Sequence, residues 1–308
     1  MISRRNIRVK VMQLVYALEV MDDEKARKNP VQALSKKLEE SRELFVYLLH
    51  FITQVAQYAE IDAKHRASKH LTTKEDLSVN TKIAGNEQLW KVLESGTYRK
   101  AVETTMPGSV DSADWIKKMY LRLVDTEDYQ TYIQVDNRDD KQAEKDILRF
   151  IFTDLMLPDE DFLSFVEEHF TNWDDDAEMM SQLMPAYLQK SSAYDLTDMM
   201  GTEKWQFARD LLNTVLEKGE HLQELIKPKL KNWDAERIAQ LDMILMQMGV
   251  AEFLYFDTIP PKVTINEYID IAKEYSTPQS GQFVNGILDG IHKELVAGDK
   301  MHKTDFKK

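Results

Sequence analysis

Residues 237–256, RIAQLDMILMQMGVAEFLYF, constrain the fold more than any other stretch of the sequence. As a helix, this segment is apolar around most of its circumference, and such a helix is typical of a position enclosed by other elements. Pro260 and Pro261 end it, because proline cannot continue a helix and pushes the preceding residues toward extended geometry. Glu252 falls on the apolar side, and we interpret it as a hydrogen-bonded buried carboxylate that fixes helix packing. The chain therefore requires a helical core around this segment.

The rest of the sequence is also helical in character. Its 308 residues include 8 prolines and 10 glycines, and nearly every long window has helix-forming residues at a helical period. Thr264 and Glu267 form a T-x-x-E capping box that is predicted to start the helix after the two prolines. Residues 129–135, YQTYIQV, have strand character but are short and isolated. The apolar face of the last predicted helix, which stops before Gly298, consists of Phe283, Val284, Ile287, Leu288, Ile291 and Leu295. The sequence predicts an all-α fold.

Changes of pattern along the chain predict four segments. Residues 1–70 form regular helices, and residues 71–201 form an acidic, mostly helical insertion with a less regular pattern. Residues 202–298 form a second well-patterned helical domain. Residues 299–308 are Lys-rich and are predicted to be a disordered tail.

Composition and motifs exclude several kinds of protein. The absence of cysteine excludes disulfides and thiolate metal sites, which fits a reducing compartment. No apolar run approaches the ~20 residues of a membrane span, and Gln13 and Glu19 interrupt any signal-like core, so we expect a cytoplasmic protein. No nucleotide-binding glycine motif is present, and Asp289 with His292 is a single helical pair. We therefore expect no enzyme activity, cofactor or metal.

The charge of the chain is negative and unevenly distributed. The formal net charge is −13, and residues 139–178 carry fourteen acidic against three basic residues. A field of this sign repels phosphate and argues against non-specific coating of nucleic acid. The opening SRRNIRVKVMQLVY, residues 3–16, is the exception, with four basic residues and no acid before Glu19.

The opening helix combines basic and aromatic side chains. A helical wheel gathers its apolar side chains into one packed stripe of Ile7, Val11, Leu14, Val15 and Leu18. Arg5, Arg8, Met12 and Tyr16 fall on another arc, which is predicted to point away from the core. Arginine pairs with phosphate and tyrosine stacks on unpaired bases, at about 1–3 kcal/mol per base, so this arc favours single-stranded RNA. The alternative is an ordinary basic N-terminus in which Tyr16 fills the edge of the core.

Four segments occur in an order that resembles one known family. They are FARDLLNTVL, LIKPKL, IAQLDMILMQMGVAEFLYFDTIPPKVTINEYIDIAKEYS and GQFVNGILDGI. Together with the Arg-rich start, they resemble the transcription antitermination factor NusB family over residues 3–65 and 202–296. The resemblance implies a NusB-like fold of two helical subdomains, here with a central insertion. It also implies a non-enzymatic factor that binds boxA-like RNA of nascent ribosomal RNA transcripts together with ribosomal protein NusE, and that acts on RNA polymerase with other Nus factors.

The resemblance also implies roles for individual residues. The positions that match RNA-contacting residues of the family are Arg4, Arg5, Arg8, Tyr16, Tyr275, Gln279 and Phe283. Relatives often have aspartate where this chain has Gln279, and a neutral amide repels phosphate less. Phe283 also lies on the apolar face of its helix, so a role as a core anchor stays open. Asp242 and Glu236 match acidic positions that face NusE, and Lys229 stands where relatives commonly have an aromatic residue.

Two alternatives to an RNA-binding antitermination factor stay open. One is a protein-interaction scaffold in which the acidic insertion binds a basic partner and RNA binding has faded. The other is a relative of ribosomal RNA methyltransferases, since NusB-like domains also precede such enzymes. This second alternative needs a glycine-bearing cofactor site in a βαβ context, which the sequence does not show.

Overall fold

The fold is described from a computed structural model, which describes residues 2–20, 24–135, 140–230, 238–301 and 303. The described residues contain α-helices and shorter helical turns but no strand, which confirms the all-α prediction. The α-helices are α1 (Arg4–Val20), α2 (Glu24–Lys28), α3 (Pro30–Ala67), α4 (Lys74–Leu77), α5 (Glu87–Glu94), α6 (Gly96–Thr105), α7 (Ala113–Val124), α8 (Glu127–Gln134), α9 (Lys141–Phe150), α10 (Glu160–His169), α11 (Trp173–Gln189), α12 (Thr202–Ile226), α13 (Gln240–Tyr255), α14 (Pro261–Tyr275) and α15 (Ser280–Ala297).

The chain forms two compact units. The terminal unit consists of Ile2–Leu38 and Met200–Lys308, and the middle unit consists of Glu39–Met199. The divisions fall inside α3 and before α12, whereas the sequence predicted divisions near residues 70 and 201. The four predicted segments and the role of the insertion stay predictions. Of the predicted tail, the structure describes residues 299–301 and 303 only.

The core of the terminal unit is built around α13. Every residue from Ile244 to Phe253 is buried, and α1, α12, α14 and α15 all pack against this helix. This arrangement confirms that residues 237–256 contain an enclosed central helix. Gly249 lets α15 approach closely, because a Cβ atom there would lie 2.8 Å from Cδ2 of Leu288.

The start of α14 differs from the sequence prediction. The helix begins at Pro261, one turn before the predicted capping box, with Pro260 in the N-cap position. Proline is well suited to the first helical position, because its fixed φ matches the helix and its missing N–H would be unpaired there anyway. Thr264 is therefore inside the helix, and its hydroxyl donates to Oε2 of Glu252 at 2.9 Å. The prediction of a Thr264–Glu267 capping box is wrong.

The last helix and the short β-like segment follow the sequence prediction. All six predicted apolar positions of α15 are buried, and Gly298 is its C-cap residue. Residues 129–134 belong to α8, where Tyr129 and Tyr132 are buried. Among the described helices, none combines the length and apolar character that a membrane crossing needs.

The middle unit has an aromatic core and an acidic composition. Tyr120, Tyr129, Phe152, Phe162 and Tyr187 are fully buried in it. The unit has 32 acidic and 17 basic residues, whereas the terminal unit has 21 acidic and 23 basic residues. The negative charge of the chain therefore belongs to the middle unit.

Candidate nucleic-acid interface

Helix α1 is buried on more sides than its sequence predicted. The predicted apolar stripe is buried throughout. Arg8, Val9, Lys10 and Met12 are buried as well, because α1 packs against both α12 and α13. The prediction that Arg8 and Met12 point away from the core is therefore wrong, since neighbouring helices cover the middle of that arc.

Arg8 and Glu252 form a buried ion pair in which both carboxylate oxygens accept hydrogen bonds. Nε of Arg8 lies 2.7 Å from Oε1 of Glu252, and Nη2 lies 3.0 Å from Oε2. The Tyr268 hydroxyl also donates to Oε1 at 2.9 Å, and Thr264 donates to Oε2. The side chains are 2% and 0% exposed. Glu252 is thus the hydrogen-bonded packing carboxylate that the sequence predicted, and Arg8 is its main partner.

The protonation of this network follows from its burial and its charges. Burial alone would lower the pKa of Arg8, but the hydrogen bond and the negative charge of Glu252 outweigh it and raise that pKa. Burial, together with the neighbouring Glu252 carboxylate, raises the pKa of Tyr268 well above its ordinary value. Arg8 therefore stays charged and Tyr268 stays a neutral hydrogen-bond donor.

Arg4 and Arg5 reach the surface at the start of α1. The guanidinium of Arg4 is exposed and lies 5.5 Å from the centroid of the Phe207 ring. Arg5 is partly exposed, and its Nη2 lies 2.8 Å from Oε2 of Glu274. Its Nη1 lies 3.9 Å from a carboxylate oxygen of both Glu267 and Asp270. Two of the three predicted arginines, Arg4 and Arg5, therefore reach the surface, and Arg5 forms ion pairs with carboxylates.

The three carboxylates that face Arg5 form one ridge of α14. Glu267, Asp270 and Glu274 follow a spacing of three and four residues, which places them on one side of a helix. We call them the acidic ridge. No prediction from the sequence included this ridge. The spacing of its acids in NEYIDIAKEY is visible in the sequence, but their contact with Arg5 is not.

Tyr16 is exposed on the same side of α1 as Arg5. Its side chain is 41% exposed, and it follows Arg5 by three helical turns, about 16 Å along the axis. Close to it, Gln240 at the start of α13 donates to Oε2 of Glu19 at 2.8 Å. The exposed part of the predicted arc is therefore its two ends, Arg5 and Tyr16.

The connection between α14 and α15 carries the remaining predicted RNA contacts. Tyr275 is partly buried and Gln279 is exposed at the N-cap of α15. Phe283 is 7% exposed and packs in the core, as the alternative interpretation predicted. Arg5 contacts Glu274, the residue before Tyr275, so the start of α1 borders this connection.

The acidic residues predicted to face NusE occupy different positions. Asp242 is buried at 5% exposure, and Ser280 donates to its Oδ2 at 2.7 Å. This carboxylate is therefore a buried group that links the starts of α13 and α15 by a hydrogen bond, and it is not exposed. Glu236 lies outside the described residues.

Comparisons with known proteins agree with the helical fold around α13. The model of the NusB family matches residues 172–293. The transcription antitermination protein NusB of Methylacidiphilum infernorum is 42% identical over 103 residues, which are 33% of this chain and 68% of that protein. The chain belongs to the NusB family. The family-model match begins just before α11 and does not include α1, whose resemblance to the family stays a prediction.

Other NusB proteins are similar over shorter shares of their length. NusB of Salinibacter ruber is 43% identical over 98 residues, or 32% of this chain and 61% of that protein. NusB of Chloroherpeton thalassium is 42% identical over 98 residues, or 32% of this chain and 46% of that protein. The chain thus spans roughly half to two thirds of these relatives. The solved structure of T. maritima NusB is 31% identical and covers 41% of this chain and 82% of its own, with a TM-score of 0.30.

Proposed function

We propose that this NusB-family protein is a non-enzymatic transcription antitermination factor. In this proposal it binds boxA-like single-stranded RNA of nascent ribosomal RNA transcripts together with ribosomal protein NusE, and acts through them on RNA polymerase with other Nus factors. The observation that carries the proposal is the exposed part of α1 in the unit that is not acidic. Arg5 and Tyr16 present a cation and an aromatic ring on one side of this helix, and Arg4 adds an exposed cation at its start.

The distribution of charge supports RNA binding by the terminal unit. This unit has a small excess of basic residues, whereas the middle unit has nearly two acids for each base. Phosphate groups are attracted by cations and repelled by a field of negative charge. The proposed RNA strand therefore binds along α1 and the α14–α15 connection, where Gln279 adds a neutral hydrogen-bonding side chain.

The proposed RNA-binding residues have different roles. Arg4 and Arg5 bind phosphate oxygens through their planar guanidinium groups, and Tyr16 stacks on an unpaired base. Tyr275 lies beside the Arg5 contact and is proposed as a second aromatic contact. Arg8 and Phe283 are positioning residues in this proposal, because both are buried: Arg8 anchors α1 to α13, and Phe283 anchors the start of α15.

The proposed role of NusE rests on the family resemblance. Because Asp242 is buried beneath Ser280, it acts in this proposal by fixing the start of α15 and not by contacting NusE directly. Glu236 stays the proposed contact residue on the partner side.

The first test measures binding of the full chain to a short boxA-like RNA and to a scrambled RNA, at one fixed salt concentration, with and without NusE. Preferential binding that NusE strengthens supports the proposal. If NusE binds but the two RNAs bind equally, the acidic middle unit becomes the better candidate as a scaffold for a basic partner. If neither binds, family membership predicts the fold alone.

A substitution at Tyr16 tests the site itself. Tyr16→Asp replaces a stacking ring by a charge that repels phosphate, so we expect the RNA dissociation constant to rise about fivefold or more. Tyr255→Asp is the matched control, since Tyr255 is 44% exposed in the same unit. Fluorescence anisotropy with labelled RNA measures both variants. Equal affinity of the two variants would remove Tyr16 from the proposed site.

A further inference from the structure

A cleft in the middle unit concentrates positive charge in an acidic environment. It has a volume of about 620 Å³ and lies between α5, α9 and the turn that follows α11. Lys91, Lys145 and Lys190 line it, one from each of these elements, and Glu94 is the only carboxylate among the described residues of its lining. We call it the lysine cleft. Its lining residues all belong to the middle unit, and none of them is among the proposed RNA-binding residues.

The charge of the lysine cleft is opposite to that of its unit. With 32 acidic and 17 basic residues in the unit, a cleft of average composition would have about two carboxylates for each cation, and this one has three cations for one carboxylate. Lys145 and Lys190 have no carboxylate within ion-pair distance in the part of the chain that the structure describes. Lys91 makes a single contact of 4.0 Å with Glu87. Cations that line one cleft and have few carboxylate partners are stabilised by an anion bound among them.

The lining is held in position by buried polar contacts. Gln88 is 4% exposed, and its Nε2 donates to Oγ of Ser191 at 2.9 Å. Since Ser191 accepts this hydrogen bond, its own hydroxyl proton is available for another acceptor. On the other side, the carboxylate of buried Glu144 accepts from the backbone N–H of Glu87 at 2.6 Å. This contact fixes α9, and thus the backbone of Lys145, against the start of α5.

The donors and the size of the lysine cleft indicate the class of ligand. Ammonium and hydroxyl groups together are typical donors to phosphate oxygens. The volume is larger than one phosphate needs and lies within the usual range of about 300–1,000 Å³ for small-molecule sites. The lining residues that the structure describes include no aromatic side chain, so the phosphates and not a base provide the recognition. We propose that the lysine cleft binds a small ligand bearing two or more linked phosphate groups.

The test is calorimetric titration of the full chain at fixed ionic strength with four probes: pyrophosphate, ATP, citrate and a short single-stranded RNA. We expect saturable binding of pyrophosphate and ATP and much weaker binding of citrate. The double variant K145Q/K190Q should lose about tenfold or more in affinity for both phosphate ligands. The control K74Q/K117Q removes two exposed lysines of the same unit outside the lining, and its affinity should be unchanged.

Four results would overturn the proposal. They are no saturable binding of pyrophosphate or ATP, equal loss of affinity in the two double variants, citrate binding as tight as that of pyrophosphate, and binding of the RNA alone. Ser191→Ala provides a second variant that keeps all charges, and we expect it to weaken pyrophosphate binding by a fewfold. Circular dichroism of each variant establishes that it is folded.

Discussion

At the scale of single residues, burial separates side chains of the same type into different roles. Arg5 and Arg8 are three positions apart on α1, yet Arg5 is partly exposed and faces all three acids of the ridge. Arg8 is buried with Glu252, and its Nη1 lies 3.4 Å from Glu267. A buried ion pair is costly to break, because the remaining partner keeps its charge without compensation. A surface arginine that faces carboxylates contributes little to stability and can exchange them for phosphate.

Replacing Arg8 tests its role as an anchor. Arg8→Ala leaves the Glu252 carboxylate buried without its main partner, and we expect the free energy of unfolding to fall by about 3–5 kcal/mol. Urea denaturation measures this loss. The double variant Arg8→Met/Glu252→Leu removes both charges and should recover most of the stability. A loss below 1 kcal/mol in Arg8→Ala would contradict the anchoring role.

Replacing one residue of the acidic ridge tests the competition for Arg5. Glu274→Gln removes the carboxylate 2.8 Å from Nη2 of Arg5, and we expect boxA-like RNA to bind about two- to fivefold tighter, since exposed ion pairs contribute about 0.2–1 kcal/mol. Glu217→Gln, an exposed residue of α12 in the same unit, makes the same change in net charge. Fluorescence anisotropy compares the two variants. An equal gain in both would assign the effect to net charge and not to release of Arg5.

At the scale of elements, the start of a helix follows from its local residues, whereas a helix crossing depends on the residues of the facing helix. Helix α14 begins at Pro261 because proline suits the first helical position, and Thr264 then becomes a partner of Glu252 from another helix. Helices α13 and α15 cross where Gly249 faces Leu288. The absence of a side chain at this crossing lets two buried helices pack closely.

Two glycine substitutions are expected to change the free energy of unfolding in opposite directions, one at the crossing and one away from it. In Gly249→Ala the new Cβ atom would lie 2.8 Å from Leu288 Cδ2, and we expect a loss of about 1–3 kcal/mol in the free energy of unfolding from overpacking. At Gly286, also within a helix, a Cβ atom meets nothing within 4 Å. Gly286→Ala should therefore stabilise the protein by up to about 1 kcal/mol. Thermal and urea unfolding measure both changes, and a neutral Gly249→Ala would show that the crossing adjusts freely.

At the scale of the whole molecule, the two units differ in net charge. The terminal unit, which contains α1 and α13, has two more basic than acidic residues, and the middle unit has fifteen more acidic than basic residues. A protein with net charge −13 can in this way keep one unit favourable to phosphate while the charge of its middle unit repels nucleic acid. Under the proposed function, this division favours specific over non-specific RNA binding.

The dependence of RNA binding on salt tests this division. Each phosphate of a single strand that a cation neutralises contributes about −0.7 to the slope of log K against log salt concentration. We expect Arg5→Gln to make the slope of the full chain shallower by about 0.7. Lys218→Gln, at an exposed position of α12 in the same unit, should leave the slope unchanged. Titrations at four or more salt concentrations measure the slopes, and an identical slope in Arg5→Gln would show that Arg5 does not contact phosphate.

The sequence alone was enough to predict the helical class, an enclosed helix within residues 237–256, the apolar face of α15 and the burial of Glu252. These features follow from local periodicity and from the cost of burying charge, and both are properties of a segment. The burial of Arg8, Met12 and Asp242 and the pairing of Arg5 with the acidic ridge depend on the packing of several helices. A helical wheel describes one helix and its preferred packed face, whereas these outcomes depend on which other helices cover the remaining faces.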